Sequence, residues 1–283
     1  MRMFLRDETA ATSREGLATL RPGGVALVEA VDAKALTWAH DVGAEEMRFP
    51  PLVSVADLMS IDYFDNFPQL PVLVSRLAKP GGSEPGAWPE PAARVGRDEL
   101  VDAEYALPSS ACYSAYFDLR GAPALAPTRI TTRARCYRNE SRYEGLRRLW
   151  SFEMREIIYL GQADGAAEHL ATFKRLLSAW CAVLGLDVAW RTAVDPFFDK
   201  RGPRALAQAI APVKEELLYK GELAIASVNA HRNFFGERCQ ITDHEGAPVH
   251  TSCVGFGLER WVAALLDDGR TAEKALALLR DAR

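Results

Sequence analysis

Apolar positions three and four apart run from Ala166 to Leu184, the clearest amphipathic helix the chain predicts. A period of two replaces that spacing over Arg129–Glu140 and Trp150–Leu160, which flank a short polar loop as the two strands of an antiparallel hairpin do. Further strands are expected at Asp187–Val194, Glu222–Val228 and Thr251–Gly255, the last running into a helix over Leu258–Leu266. A helical segment near Arg204–Tyr219 is expected between the first two. Ahead of the hairpin the pattern predicts a polar helix near Ala11–Leu20 and a turn at Gly23-Gly24. An apolar run over Val25–Val31 and a short helix ending near Gly43 follow. Pro50 and Pro51 push the residues before them out of the helical region, so Met47–Leu52 is extended, and Ser54 caps a helix through about Tyr63. Pro80, Gly81, Gly82, Pro85, Gly86, Pro89 and Pro91 make Lys79–Pro91 a surface loop. With no internal repeat, residues 1–283 are expected to form a single domain, with 1–45 a preamble and an inserted helical segment at about 200–220.

Composition narrows the class. The chain of 283 residues is 48% hydrophobic, enough for one large core. Its longest apolar stretches, such as Leu176–Leu186, are interrupted by Ser178, Trp180 and Gly185 and fall short of the roughly 20 residues of a membrane span. The segment Met1–Glu8 turns charged before any apolar signal core develops, so a cytoplasmic location is expected. Cys112, Cys136, Cys181, Cys239 and Cys253 are odd in number and widely spaced, which argues against a disulfide framework and leaves scope for metal binding. A formal net charge of −4 does not suit a protein that wraps nucleic acid by neutralising phosphates, so RNA is not the expected partner.

The hairpin carries the first cluster of chemistry. Alternation puts Arg138 and Glu140 on one face of its first strand and Trp150, Phe152, Met154 and Glu156 on one face of its second. That face suits a nucleotide: Arg138 for a phosphate through its planar fork, Phe152 as a platform for the base, and a loop arginine, Arg147 or Arg148, for the outer phosphates. The segment Cys253-Val254-Gly255-Phe256-Gly257-Leu258-Glu259-Arg260 supplies two glycines that let backbone approach a ligand. Arg260 falls in the first turn of the following helix, where the dipole does not favour a cation, and an anionic ligand would give it a task. Taken singly, Cys112 and Cys253 would be core thiols, Phe152 and Met154 core residues, and Arg142–Arg148 a solvated loop.

Taken together, these segments resemble motifs 2 and 3 of class II aminoacyl-tRNA synthetases: Arg-x-Glu, a basic loop and a Phe-containing strand, followed by Gly-x-Gly-x-x-Arg. The likeness spans roughly residues 130–265, with a weaker motif 1 candidate around Arg48–Tyr63. It implies an α+β fold, a class II synthetase-like catalytic domain of mainly antiparallel sheet flanked by helices, and a homodimer. Within that class the chain is similar to the catalytic domain of the atypical zinc-dependent seryl-tRNA synthetases of methanogenic archaea and to their truncated bacterial relatives, the amino acid:[carrier protein] ligases. The resemblance implies zinc held by Cys112, Glu156 and Cys253, with an open position for an α-amino group. Glu156 is preferred to Glu153 because it shares a face with Phe152, and Cys136 stays a rival ligand. It further implies ATP and magnesium as cofactors, with Arg138 and Arg260 catalytic and Glu140, Arg148, Phe152, Glu222 and Asn229 binding the nucleotide and its metal; His231 reads as a structural or pocket-rim residue.

No tRNA-binding module is expected outside the catalytic region, and together with the acidic balance this favours the carrier ligases over a tRNA-charging enzyme. The implied partners are a small amino acid, glycine or alanine favoured, and an acidic carrier protein with a phosphopantetheine arm. Lys200, Arg201, Arg204, Lys214 and Lys220 form a locally basic stretch that would dock such a carrier, or an ordinary exposed helix. Minimal tRNA aminoacylation and a non-catalytic synthetase paralogue are the alternatives, the latter disfavoured by the presence of Arg138, Glu140, Phe152 and Arg260.

Overall fold

The computed structural model describes residues 9–12, 16–78, 95–199, 201–202, 208 and 212–282. The expected loop at Lys79–Pro91 and most of the expected helix at 204–211 lie outside the described residues. In chain order the elements are β1 (Ala10–Thr12), β2 (Ala18–Leu20), α1 (Pro22–Asp41), β3 (Glu45–Glu46), β4 (Val53–Ser54), α2 (Val55–Ser60), α3 (Tyr63–Asn66), β5 (Val72–Val74), β6 (Tyr105–Leu107) and α4 (Tyr113–Asp118). They continue with β7 (Thr128–Tyr137), β8 (Ser151–Gly161), α5 (Ala163–Val183), β9 (Val188–Ala193), β10 (Lys214–Tyr219), β11 (Leu223–Arg232), α6 (Phe234–Cys239), β12 (His250–Gly257), α7 (Leu258–Leu266) and α8 (Ala272–Asp281).

A seven-stranded sheet in the order β3-β7-β8-β12-β11-β10-β9 forms the centre, antiparallel throughout except for the short parallel pairing of β3 with β7. One face packs against α1, α5, α7 and α8 through a core that includes Leu27, Val31, Trp38, Phe173, Trp180, Val254, Phe256 and Trp261. Because side chains alternate across a strand, Ile157, Val254, Phe256, Ala226 and Val228 point to that core, while Phe152, Met154, Glu156, Cys253, Gly255 and Ser227 line the other face. A small sheet, β4-β6-β5, and α2, α3, α4 and α6 build a second core over part of that other face. Among the described residues no helix is long and apolar enough to cross a membrane.

Several elements differ from the sequence pattern. The polar helix expected over 11–20 is instead the hairpin β1–β2, and its end is anchored by the bond from the Trp150 N–H to the Gly16 carbonyl (2.9 Å). Gly23-Gly24 is not a turn but the first turn of α1, entered through Pro22 at its start. A Cβ on Gly24 would lie 2.2 Å from the Thr9 carbonyl oxygen, so close approach, not backbone reversal, requires that glycine. Lys214–Tyr219 is a strand and not part of an inserted helix, since its backbone pairs with both β11 and β9; long-range pairing overrides the helical preference of Lys, Glu and Leu. Ser54 does cap α2, accepting from the Asp57 N–H at 2.9 Å, but the helix stops at Ser60 and α3 follows.

The helical layer is tied to the sheet by charge as well as by apolar packing. Arg155, 1% exposed on β8, makes a two-pronged ion pair with Asp32 of α1 (2.7 and 2.8 Å) and reaches Glu46 of β3 at 3.0 Å. Arg133 of β7 adds bonds to Glu29 and Glu153. Replacing Asp32 by Ala leaves a buried guanidinium without its main partner and is expected to lower the unfolding free energy by about 3 kcal/mol or more in urea titrations. A loss below about 1 kcal/mol would show that apolar packing alone holds α1 in place.

Candidate active site

The lining face of the sheet holds two adjoining cavities, one of about 390 Å³ over β11, β12 and the end of β8, the other of about 80 Å³ over Phe152 and Arg260. Gly255 lines the smaller cavity, and a Cβ there would crowd two side chains shared by both, Met154 Cε at 3.0 Å and Ser227 Oγ at 3.3 Å.

In the larger cavity, Cys112 just before α4, Glu156 on β8 and Cys253 on β12 bring their ligand atoms within 4.8 Å of one another, all buried. Glu156 Oε1 accepts from Ser110 Oγ (2.9 Å) and the Ala111 N–H (3.1 Å), whereas buried Oε2 has no partner among the described residues. Asn229 Nδ2 donates to Cys253 Sγ at 3.4 Å, and His231 lies with Nε2 3.7 Å from the same sulfur. The other ring nitrogen of His231 faces Tyr116 Oη (3.2 Å) and Thr251 Oγ1 (3.3 Å). Burial pushes the Cys112 thiol well up, while the hydrogen bond from Cys112, helped by His231, draws Cys253 down to about 7. Burial alone would lower His231, but the Cys253 thiolate and then Glu156 and Asp195 raise it overall. A carboxylate oxygen without a partner, converging with two sulfurs in a buried site, suits a borderline-soft divalent cation such as zinc. Cys136 is buried apart from this group, its Sγ 4.0 Å from the Ala134 carbonyl.

In the smaller cavity, Arg138 stacks over Phe152, guanidinium carbon to ring centre 5.1 Å, and is fixed by its Nε bond to the Ser109 carbonyl (3.0 Å). Arg260 is held by two carbonyls, Arg147 (2.9 Å) and Ala224 (3.1 Å), with no carboxylate bonded to it among the described residues. Burial first, then Arg138 and Arg148, lowers it to about 10. Glu140 lines this cavity and is bonded by Arg148.

Three expected positions fall elsewhere. Glu222 is not in the cavity: it sits in the turn before β11, its side chain 79% exposed, and meets Arg147 at 3.3 Å, because β11 begins one residue later. Arg147, not Arg148, is the loop arginine in the lining. Asn229 belongs to the Cys253 end, not the nucleotide end. Of the basic stretch, Lys200 and Arg204 lie outside the described residues, Lys214 lies between the cavities and Lys220 is bonded to Asp267 and Asp268. Sequence reasoning missed Lys214, Glu216 and Ser227 as lining residues; reading β10 as a strand, with Lys214 and Glu216 two apart on one face, would have found the first two.

The fold is that of class II aminoacyl-tRNA synthetase catalytic domains: over 96% of this chain it superimposes on M. kandleri SerRS, solved in complex with A. aeolicus tRNASec, with a TM-score of 0.78 at 19% identity. The chain spans 58% of that synthetase chain. Two proteins of Bradyrhizobium diazoefficiens named amino acid--[acyl-carrier-protein] ligase 1 and 2 are 32% and 33% identical over 249 and 254 residues, 82% of this chain in each case and 74% and 72% of theirs. The chain belongs to this ligase family. No protein-family model matches it.

Glu156→Gln keeps the shape of the larger cavity but removes the charge, and zinc affinity measured by chelator competition is expected to fall more than about 100-fold, beyond what losing a residue that only orients a ligand costs. Affinity within a few-fold of wild type would remove Glu156 from the ligand set.

Proposed function

We propose that the chain activates a small amino acid with ATP to an aminoacyl-adenylate and passes the aminoacyl group to the phosphopantetheine thiol of an acidic carrier protein. The observation that carries this reading is the junction itself: a cavity lined by a buried Cys-Glu-Cys group shares Arg138, Met154, Lys214 and Ser227 with a neighbouring cavity that holds a stacking ring and two fixed guanidinium groups.

Zinc held by Cys112, Glu156 and Cys253 would supply a Lewis-acidic anchor for a free α-amino group. ATP enters with magnesium, its base against Phe152, Arg138 on the α-phosphate and Arg260 toward the γ-phosphate, with Glu140 beside them. The amino acid's carboxylate oxygen attacks the α-phosphorus as the bond to the bridging oxygen breaks and pyrophosphate leaves; no proton moves. The deprotonated pantetheine sulfur then attacks the acyl carbon, and AMP leaves. Positioning and fixed charge carry the rate, so the work of the chain is orientation and exclusion of water.

Glycine or alanine as substrate, the acidic carrier as acceptor and a homodimeric state rest on the family likeness. The relatives' names favour a carrier protein over tRNA as acceptor. Retention of Arg138, Phe152 and Arg260 in one cavity supports a catalyst over a binding paralogue.

Amino-acid-dependent exchange of labelled pyrophosphate into ATP, scanned over the twenty amino acids, tests the reading. Exchange confined to one or two small amino acids and abolished by a strong zinc chelator is expected, with Arg138→Ala reducing it by about 100-fold or more. Near-normal exchange in Arg138→Ala would contradict the assignment of the α-phosphate.

A further inference from the structure

The two cavities share four lining residues, Arg138, Met154, Lys214 and Ser227. Building on the adenylation reading, a carboxylate held in one cavity and an α-phosphate held in the other meet at these four side chains. Two anions must come within bonding distance there, and two of the four residues are cations.

Lys214 opens β10, paired by backbone with Asn229 of β11 on one side and Ala193 of β9 on the other. Its side chain is 15% exposed, and Nζ lies 3.3 Å from Asp195 Oδ1 and 3.2 Å from Glu216 Oε1. Asp195 is itself fixed, since Gln208 Nε2 donates to its Oδ2 (2.9 Å) and Gln208 Oε1 accepts from its N–H (3.1 Å). Asp195 lines the larger cavity and Glu216 the smaller, so the two carboxylates hold the ammonium at the boundary from opposite sides. An ammonium has three N–H donors. Among the described residues Asp195 accepts one of them and Glu216 lies within ion-pair distance, which leaves donor capacity for the junction.

A purely architectural reading accounts poorly for this placement. Strand β10 is held in register by main-chain pairing with two neighbours and needs no buried cation. The partners are side chains 33% and 28% exposed, so each keeps some access to water. Holding a lysine 15% exposed between them carries a desolvation cost, which a further anion on the remaining donor capacity would help offset.

We propose that Lys214 is a catalytic residue whose ammonium bridges the amino acid's carboxylate and a non-bridging oxygen of the α-phosphate, opposite Arg138. In the step, the carboxylate oxygen forms its bond to phosphorus and the bond to the pyrophosphate oxygen breaks. Lys214 keeps its proton throughout and offsets the charge that gathers on the non-bridging oxygens. Arg138 is anchored through its Nε to the Ser109 carbonyl, and Lys214 adds a second cation at the junction to complete the clamp.

The test uses the zinc-loaded full chain and compares wild type with Lys214→Met in steady-state pyrophosphate exchange, alongside zinc affinity and thermal midpoint. The expected result is a fall in kcat of about 100-fold, with KM for ATP and amino acid within about threefold and zinc affinity unchanged, because the interaction tightens in the transition state. Lys214→Arg, which keeps the charge, is expected to recover part of the loss. Wild-type kcat in Lys214→Met overturns the proposal, as does a loss that only follows the folded fraction. Should Lys214→Met not fold, Lys214→Gln, able to bond both carboxylates without charge, gives the same two readings: a comparable fall in kcat supports the proposal, and wild-type turnover overturns it. Wild-type protein that exchanges with no amino acid overturns the adenylation reading and this proposal with it.

Discussion

The antiparallel register of β8 between β7 and β12 is the constraint on which both halves of the molecule depend. With a side-chain period of two, Arg155 and Ile157 face the helices while Met154 and Glu156 face the cavities, and a slip of one residue would exchange them. The slip would drive Glu156 into an apolar core and carry Arg155 away from Asp32, so the buried ion pair on one face guards the carboxylate on the other. Gly255 sits directly across from Glu156 in the neighbouring strand, and a Cβ there would press on Met154 Cε and Ser227 Oγ, two side chains that line both cavities.

Charge is distributed to match. Toward the helices the guanidinium groups are matched by carboxylates: Arg155 by Asp32 and Glu46, and Arg133 by Glu29 and Glu153. Toward the cavities the matching is left incomplete. Arg260 rests on two carbonyls, Arg138 on one, and Glu156 keeps a buried oxygen without a partner among the described residues. A fold gains little stability from groups in that condition, and they are the groups a bound nucleotide and a divalent cation would satisfy.

How much of this could be read from the sequence depended on range. Local alternation marks the hairpin β7–β8, and local periodicity marks α5 and α7, so the order of residues alone was enough to single out Arg138, Phe152 and Arg260, whereas the ligand roles of Glu156 and Cys253 came through the family resemblance. The Cys112 partnership came through resemblance to a family, because no local pattern links residues 112, 156 and 253. Failures concentrate where a distant strand decides. Lys214–Tyr219 reads as a helix in isolation and becomes a strand through β9 and β11, and that misreading hid Lys214 from the site. Glu222 was placed by analogy with a family strand, and it lies in the turn ahead of Leu223, where β11 begins, which leaves it in solvent. Gly24 read as a turn because its reason, the carbonyl of Thr9 lying against it, is a tertiary contact.

One face of one sheet is proposed to hold both reactants of an amino acid activation, and a crystal structure of the zinc-loaded protein with a non-hydrolysable sulfamoyl analogue of glycyl-adenylate tests this most directly. The adenine ring is expected on Phe152, the glycyl amine at Cys112, Glu156 and Cys253, and the linkage between them over Gly255. An analogue bound with its amine away from the Cys-Glu-Cys group, or with its base outside the Phe152 cavity, would contradict that arrangement.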